Sequence, residues 1–254
     1  MKLPHTLLLR LIGPMQSWGY RSRFEVRDTG LEPTRSGVLG LLASACGIKR
    51  DDITTLQHWD KQLRLGVRVD LPNVQRPVLE RSGFRIETDY HTAQNVMRAT
   101  GKGLADTVLS TRYYLTDSRF TIGIESSNVA LLEKFDQSIK NPVWTLCLGR
   151  KSFPLSLPPW LPGGGLCRDT TLLDALKTSP FPLLSWKEHL PKKVRFVIEP
   201  SSQGDDELPE GITMRLNDRP FSYSSRQFGI RAVKTFTLDS NECGMEAQQC
   251  FYQR

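Results

Sequence analysis

The sequence predicts a mixed α+β fold, and three observations support this prediction. Short apolar or strictly alternating runs recur along the chain, as is typical of strands. Between them lie segments with apolar residues at helical spacing, each preceded by a side chain that can cap a helix. Finally, 39% of the 254 residues are hydrophobic and 24% are charged, which is the ordinary composition of one large globular domain or two small ones.

The first elements are a strand and two helices. Residues 6–13 (TLLLRLIG) form an apolar run that ends at a Gly-Pro pair, and this predicts a buried strand. A helix is predicted next, over residues 33–48, with Thr34 or Ser36 as its N-cap. Two consecutive aspartates can cap a second short helix over residues 51–61.

The next strand leads into a segment of different character. Residues 62–71 alternate apolar and polar side chains, which predicts a half-buried strand. Residues 75–108 have few side chains that suit a core, and a Ser-Gly turn signal at 82–83 separates two short runs. We interpret residues 75–108 as a protruding insertion that begins with a hairpin.

Regular structure resumes after the insertion. Strands are predicted at residues 109–116 and 119–125, a helix at 128–140 that stops at an Asn-Pro pair, and a short strand at 143–148. The order of elements is therefore strand, helix, strand, insertion, strand, helix, strand. This order matches the β-α-β-β-α-β pattern of ferredoxin-like, or RRM-like, domains.

The last hundred residues are predicted to be rich in strands and loops. A strand is predicted at residues 194–199, followed by an antiparallel pair at 212–216 and 228–238. The apolar alternation of the last strand changes phase between Ala232 and Val233, which predicts a β-bulge there.

Composition excludes several classes of protein. The five cysteines are an odd number without a C-x-x-C pair, and the four histidines form no H-x-x-x-H pair. We therefore expect no disulfide framework, no zinc site and no cofactor. No apolar run approaches the roughly 20 residues of a membrane span, and the first residues make a poor signal peptide. We expect a cytoplasmic protein with no membrane partner.

The positive charge is unevenly distributed. The chain has 34 Lys and Arg against 27 Asp and Glu, a net charge of +7. Residues 1–50 carry eight basic and three acidic side chains, and residues 215–234 carry five basic and one acidic. An excess in two short windows favours a surface that binds a polyanion such as nucleic acid. A solvated basic surface without a partner is the alternative.

Two candidate RNA contacts lie in the first basic window. The loop at residues 14–27 interleaves aromatic residues with arginines, and such residues stack on unpaired bases or pair with phosphates. The alternative is that Trp18 packs in the core and does not contact RNA. At the start of the predicted helix, free backbone N–H groups, Arg35 and the Ser36 hydroxyl suit a phosphate. A plain N-cap is the alternative there.

Three further segments carry polar chemistry. Arg150 and Lys151 follow the end of a predicted strand, and Arg226 lies in the second basic window. Each either contacts phosphate or is simply solvated. His91 follows Tyr90 in the insertion, and a histidine can act as acid or base in RNA cleavage without a metal. A histidine that only donates a hydrogen bond is the alternative.

Five segments in order resemble a known family. They are LLLRLIGPMQSWG, PTRSGVLGLLASACGI, DYHT, YLTDSRFTI and LGRKSFPL. Together they resemble the CasD family, the type I-E Cascade subunits of the CRISPR repeat-associated (RAMP) superfamily, over about residues 6–160, with a weaker echo at SRQF. The resemblance implies a palm of residues 1–74 and 109–254 that includes a C-terminal β-rich part. It also implies that residues 75–108 are a thumb.

The resemblance also implies a function. A CasD-like protein is a non-catalytic subunit that holds the 5′ handle of the crRNA and caps the foot of the complex. It contacts the backbone subunit CasC and the large subunit CasA, and it meets target DNA only indirectly, through the complex. A related type I-C protein cuts RNA itself, so a metal-independent endoribonuclease using Tyr90 and His91 is the alternative function.

Resemblance and chemistry together assign RNA-binding roles by position, and no catalytic or metal-binding residue is assigned. The twelve assigned residues are Gln16, Ser17, Trp18, Arg35, Ser36, Tyr90, His91, Arg112, Arg150, Lys151, Arg226 and Gln227.

Overall fold

The computed structural model describes residues 3–20, 25–71, 85–98, 100–184, 188–201 and 208–250. In chain order the strands are β1 (His5–Ile12), β2 (Met15–Gln16), β3 (Val26–Arg27), β4 (Arg64–Val69), β5 (Arg85–Met97), β6 (Leu104–Thr116), β7 (Arg119–Ser126), β8 (Leu166–Cys167), β9 (Phe181–Leu183), β10 (Lys193–Ile198), β11 (Ile212–Ser222), β12 (Gln227–Asp239) and β13 (Ala247–Gln249). The α-helices are α1 (Arg35–Cys46), α2 (Ile53–Gln62), α3 (Val129–Lys140) and α4 (Leu172–Thr178). In these ranges, no helix has both the length and the apolar character needed to cross a membrane.

A seven-stranded sheet with the order β11-β12-β10-β4-β7-β1-β8 organises the fold. Each neighbouring pair in this sheet is antiparallel. The predicted mixed α+β class is therefore correct. The C-terminal strands β10, β12 and β11 add directly to the edge of β4, so the C-terminal β-rich part extends the first sheet.

Two apolar cores cover the two faces of this sheet. Leu7, Leu9 and Leu11 of β1 face a core shared with α1, α2 and α3. Leu8 points to the opposite face, as alternation along a strand requires, and packs in a core with α4. Because both faces of β4 are covered, five of its six residues are buried, whereas the sequence predicted a half-buried strand.

Three of the four α-helices begin close to where the sequence predicts, whereas α4 was not predicted. The Thr34 hydroxyl accepts the Gly37 N–H at 3.2 Å, and the Asp52 carboxylate accepts the Thr55 N–H at 3.0 Å. The side chain of Asn128 caps α3 in the same way. Each cap satisfies one of the N–H groups that a helix start leaves without a partner in the helix.

The strand predicted at residues 143–148 is absent from the structure. The N–H groups of Val143 and Trp144 donate instead to the carbonyls of Ala45 and Ser44 at the end of α1. These bonds fix the segment against the helix and withdraw it from the sheet. The short strand β8 takes the position beside β1.

The predicted insertion contributes to a long hairpin. β5 and β6 pair along their whole length, and β2 and β3 pair with β6 in the same small sheet. β6 begins at Leu104, so the predicted start at residue 109 is wrong. The turn predicted at 82–83 lies outside the described residues.

A bulge occurs near the predicted place but in the partner strand. The register between β11 and β12 shifts between Leu216 and Arg219, so the extra residue is in β11. The prediction of a bulge between Ala232 and Val233 is therefore wrong. The bulge turns Asp218 inward, where it is 1% exposed.

Candidate nucleic-acid interface

Charged side chains gather on one face of the β5–β6 hairpin near its base. Arg112 of β6 lies directly opposite Asp89 of β5 and beside Arg27 of β3. Directly paired residues point to the same side of a sheet, so these three side chains share a face. Tyr114 and His91 lie two residues from Arg112 and Asp89 along their strands, and they share this face.

Arg150 joins this face from a separate loop. Its guanidinium carbon lies 5.0 Å from the centroid of the Tyr114 ring, and its Nη1 lies 3.5 Å from the Tyr114 hydroxyl oxygen. The loop is held close to β2, because a Cβ on Gly149 would lie 1.8 Å from the Ser17 carbonyl oxygen. We call Arg27, Asp89, His91, Arg112, Tyr114 and Arg150 the hairpin-base cluster.

The hairpin-base cluster concentrates positive charge. The pKa of Arg150 is lowered, first by burial and further by the nearby charges of Arg112 and Arg27, against the opposite effects of Tyr114 and Asp89. Guanidinium groups held close together repel one another, and a bound anion relieves that repulsion. Arginine binds phosphate through two parallel hydrogen bonds, so a phosphodiester backbone suits this place.

Asp89 links the charged and aromatic members of the cluster. Its Oδ2 accepts a hydrogen bond from the Tyr114 hydroxyl at 3.3 Å and lies 3.5 Å from Nδ1 of His91. The His91 and Asp89 side chains are both nearly half exposed. A ligand that reaches the arginines therefore also reaches the histidine.

The structure brings three predicted residues together and separates a fourth from them. His91, Arg112 and Arg150 all belong to the hairpin-base cluster, and the exposed Lys151 follows directly. Tyr90 lies on the opposite face of β5, where 67% of it is exposed. Arg27 is a member that the sequence analysis did not single out, although it lies in the basic loop that the analysis identified.

The RNA contacts predicted for Gln16, Ser17 and Trp18 in the first loop do not agree with the structure, because all three side chains are buried. Trp18 is 1% exposed and Gln16 is fully buried, while Ser17 is also buried. The Trp18 Nε1 donates to Gln16 Oε1 at 3.0 Å, and the Gln16 amide donates to the Ser118 carbonyl at 2.7 Å. These side chains therefore position the loop, and they do not offer a surface to RNA.

The phosphate contact predicted for Arg35 does not agree with the structure for the same reason. It is 3% exposed, and its guanidinium donates to the carboxylates of Asp60 and Glu199 at 2.6–2.7 Å. The remaining donors reach the carbonyls of Asp60 and Leu63. Burial opposes its charge, but Glu199 and Asp60 outweigh burial and raise the pKa of Arg35. All five donors are occupied, so Arg35 does not serve as a phosphate ligand.

A carboxylate of the protein takes the predicted phosphate position at α1. Oδ2 of Asp218 accepts the backbone N–H of Arg35, the first residue of the helix, at 2.8 Å. Arg231 holds the same carboxylate through two hydrogen bonds of 2.6 and 2.8 Å. The one signal in the sequence was that Asp218 is the single acidic residue in an otherwise basic window.

The remaining predicted residues, Ser36, Arg226 and Gln227, also lie near the start of α1. The Tyr223 hydroxyl donates to the Ser36 carbonyl at 2.7 Å, and burial raises the pKa of this tyrosine. Tyr223 precedes Arg226 in the turn between β11 and β12, and both Arg226 and Gln227 are exposed. The turn therefore meets the first turn of α1, with the buried Trp18 loop also packed on that helix start.

The part of the chain that the structure describes holds no group of three His, Cys, Asp or Glu side chains able to bind a metal ion.

Comparison with known proteins gives consistent matches. Residues 6–234 match a sequence family described as CRISPR-associated protein (Cas_Cas5). The chain is 37% identical over 166 residues to the CRISPR system Cascade subunit CasD of Escherichia coli strain K12, which covers 64% of this chain and 71% of that protein. It resembles a solved structure described as a Cas protein, with 34% identity, a TM-score of 0.67 and coverage of 96% and 98% of the two chains. A chain of a CRISPR RNA-guided surveillance complex is 27% identical, with a TM-score of 0.67 and coverage of 92% of this chain and 90% of that one.

Proposed function

The chain belongs to the Cas5 family of CRISPR-associated proteins, and on that premise we propose that it is a non-catalytic subunit of a type I-E Cascade complex. In this role it binds the 5′ handle of the crRNA in the cytoplasm and caps the foot of the complex. Its partners are the backbone subunit CasC and the large subunit CasA, and it meets target DNA only through the assembled complex. The similarity to the CasD protein supports the role.

The hairpin-base cluster is the observation that carries this proposal. Three arginines from β3, β6 and the loop after Gly149 converge beside an aromatic ring. Phosphate contacts position a nucleic acid, while an aromatic or guanidinium plane supports an unpaired base. The cluster therefore has the chemistry of a single-stranded RNA site at the place where the hairpin leaves the main sheet.

The strand order supports the division into palm and thumb. The strands β8-β1-β7-β4 are neighbours in that order, with α1 between β1 and β4 and α3 between β7 and β8. Ferredoxin-like domains have the same order of strands and helices, and this likeness supports the proposed palm. We assign the palm to residues 1–74 and 109–254 and the thumb to residues 75–108, whose described part lies in the β5–β6 hairpin.

The RNA contacts follow from the positions of the side chains. We assign phosphate contacts to Arg27, Arg112 and Arg150, and a supporting contact to His91 and Lys151. Ser36, Arg226 and Gln227 form a second group at the start of α1, where they extend the path of the RNA. Tyr90, on the other face of β5, contacts a base that passes around the hairpin.

A salt titration of RNA binding tests the proposal. The probe is a labelled RNA that carries the 5′ handle, and the variants are Arg112→Ala and Arg168→Ala. Arg168 is a matched control, because it is exposed and pairs with Glu133 on α3, away from the cluster. We expect Arg112→Ala to weaken binding and to reduce the log–log salt slope by about 0.7–0.9, the value for one phosphate contact.

The control variant should keep the slope of the unaltered chain. If the slope of Arg112→Ala is unchanged, Arg112 does not contact a phosphate. If all variants bind the RNA with equal affinity, the hairpin-base cluster is not the RNA site. The RNA should also stay intact throughout, in EDTA and in magnesium alike.

One contact favours the second candidate function, a metal-independent endoribonuclease. His91 Nδ1 lies 3.5 Å from Asp89 Oδ2, and a carboxylate can orient a histidine that acts as a base. Incubation of the purified chain with repeat RNA in EDTA distinguishes the two functions. Specific cleavage that disappears in His91→Ala would establish the nuclease, whereas intact RNA supports the binding role.

A further inference from the structure

The two edges of the seven-stranded sheet are protected differently. One edge is the β8 side of the sheet. It is protected because β8 is only two residues long and because loop carbonyls accept outward N–H groups of β1. Leu8 N–H donates to Gly165 and Arg10 N–H donates to Pro159, both at 2.8 Å. Short edge strands and covering loops are standard protection against pairing with another chain.

The other edge is β11, and only its second half has such protection. That half contains the bulge before Arg219, followed by Pro220, which has no N–H to donate. It also packs against the first helices, since Gln57 of α2 bonds to the Phe221 carbonyl and Tyr223 bonds to α1. A bulge, a proline and a covering helix each discourage strand addition.

The first half of β11, residues 212–216, lacks these features. Ile212 is 71% exposed and Met214 is 39% exposed, although both point to the face that carries the buried Val233 of β12. Within the described ranges, β12 is the strand that pairs with residues 212–216. In an antiparallel pair, alternate N–H and C=O groups of an edge strand point away from its partner. Among the described residues, the outward ladder groups of this half of β11 have no strand partner, and exposed apolar side chains lie beside them.

We propose that residues 212–216 of β11 accept an extended segment of another protein subunit, which adds to the sheet as a further strand. The inference deepens the proposed function, on which it rests, by naming the surface and the kind of segment that bind there. Backbone hydrogen bonds supply the affinity in such an addition, and alternate side chains supply the specificity.

The side chains of β11 specify the chemistry of the incoming segment. Ile212 and Met214 form an apolar row on one face, so the segment carries apolar residues on that face. Arg215 is exposed on the opposite face, so an acidic residue lies there in the segment. The fitting sequence alternates apolar and acidic residues over about five positions, because side chains of a strand alternate between faces.

Residues 212–216 are separate from the hairpin-base cluster, and they lie at the opposite end of the β11–β12 pair from Arg226 and Gln227. β11 is the end strand of the seven-stranded sheet, whereas the hairpin-base cluster lies on the small sheet built around β6. A change at β11 therefore tests the subunit contact without removing a residue that we assign to RNA.

Hydrogen exchange provides the direct test. The experiment compares the free chain with the complete complex, reconstituted from crRNA and all subunits of the same system. We expect the amides of residues 212–216 to exchange at least about tenfold more slowly in the complex, because strand addition hydrogen-bonds their outward N–H groups. Equal exchange in the two states would overturn the proposal.

Lysine substitutions give a second measurement with a matched control. Met214→Lys places a charge on the apolar row of the edge, whereas Ile230→Lys places the same charge on β12, at an isoleucine that is 65% exposed. We expect Met214→Lys to lower incorporation into the complex about tenfold and Ile230→Lys to leave it within about twofold. Handle RNA affinity should stay within about twofold in both.

The outcomes separate this inference from the proposed function. Lost incorporation with retained RNA binding supports strand addition at β11. Equal incorporation of the two lysine variants overturns strand addition and leaves the RNA role intact. If the unaltered chain does not bind handle RNA, then the proposed function fails by a measurement that does not involve β11.

Discussion

The Arg150 guanidinium lies over the ring of Tyr114, with 5.0 Å between its central carbon and the ring centroid. Tyr114 is buried at the base of the hairpin, where it also meets Phe153 edge to face. The ring therefore fixes the direction of an arginine that comes from a different part of the chain. This contact links the hairpin to the loop after Gly149 and makes the site sensitive to changes in either.

The ring, and not the hydroxyl, should control RNA affinity at Tyr114. Tyr114→Leu removes a cation–π contact worth about 0.5–1 kcal/mol, so we expect handle RNA affinity to fall about two- to fivefold. Tyr114→Phe keeps the ring and should stay within about twofold. Equilibrium binding with a labelled handle RNA measures both. A larger loss in Tyr114→Phe than in Tyr114→Leu would contradict this account.

Arg35 should matter for stability and not for phosphate contact. Arg35→Ala leaves the buried carboxylates of Asp60 and Glu199 with one arginine fewer, since Arg219 and Arg231 still pair with them. Removing one member of a buried pair costs up to about 3–5 kcal/mol in the free energy of unfolding. Arg219→Ala removes a half-exposed partner of the same Asp60, and we expect less than about 1 kcal/mol. Urea unfolding measures both free energies.

A milder variant keeps this prediction testable if Arg35→Ala does not fold. Arg35→Lys keeps the charge but has fewer donors, so its loss of stability should be intermediate. Its handle RNA binding should keep the salt slope of the unaltered chain. The slope is tested with Arg35→Gln, which lacks the charge: a slope reduced by about 0.7–0.9 in that variant would instead return Arg35 to the phosphate contacts.

Two glycines with similar backbone angles should respond differently to alanine. Gly149 has φ +86° and Gly163 has φ +88°, but a Cβ meets the Ser17 carbonyl at 1.8 Å in the first case and nothing within 4 Å in the second. Left-handed backbone costs a non-glycine residue about 1–3 kcal/mol, so Gly163→Ala should show that loss alone. Gly149→Ala should lose more stability and also weaken RNA binding, because the loop that carries Arg150 must move. Thermal unfolding and RNA titration check the pair, and equal behaviour of the two variants would argue against the close approach.

Acid should remove the contribution of the Asp52 cap. The Thr55 N–H lowers the pKa of Asp52 below its ordinary value, so the folded chain favours the ionised form. The resulting stabilisation is present above the ordinary aspartate pKa of about 3.9 and is lost as the pH falls through the lower folded pKa. Thermal unfolding from pH 7 downward should therefore show the advantage of Asp52 over Asp52→Asn shrink as the pH falls below about 3.9. If the thermal stabilities of the unaltered chain and of Asp52→Asn changed in parallel with pH, the ionised Asp52 carboxylate would not be the stabilising cap.

Much of the secondary structure was predictable because its signals are local. Helix caps involve side chains and N–H groups only three residues apart, as at Thr34 and Asn128. The same local signals failed at residues 143–148, where an apolar run suggested a strand. The bonds from Val143 and Trp144 to the end of α1 join segments about a hundred residues apart, so no short-range pattern revealed them.

The candidate site was predictable only in part, for a related reason. His91, Arg112 and Arg150 were singled out separately, but their meeting depends on strand register and on the Tyr114 ring. Trp18 and Arg35 have the residue types of an RNA site. Burial instead commits them to the loop packing and to the carboxylates that surround them.

The amino-acid order alone determined the fold class, the starts of three helices, most strands and the two basic windows, since composition, capping and alternation act between near neighbours. The tertiary structure decided which charges remain available to a ligand. Asp218 lies 183 residues from Arg35 and fills the anion position at the start of α1. The physical reason is that the partner of a charge depends on which distant segments pack together, whereas residue type fixes only what a side chain is able to bind.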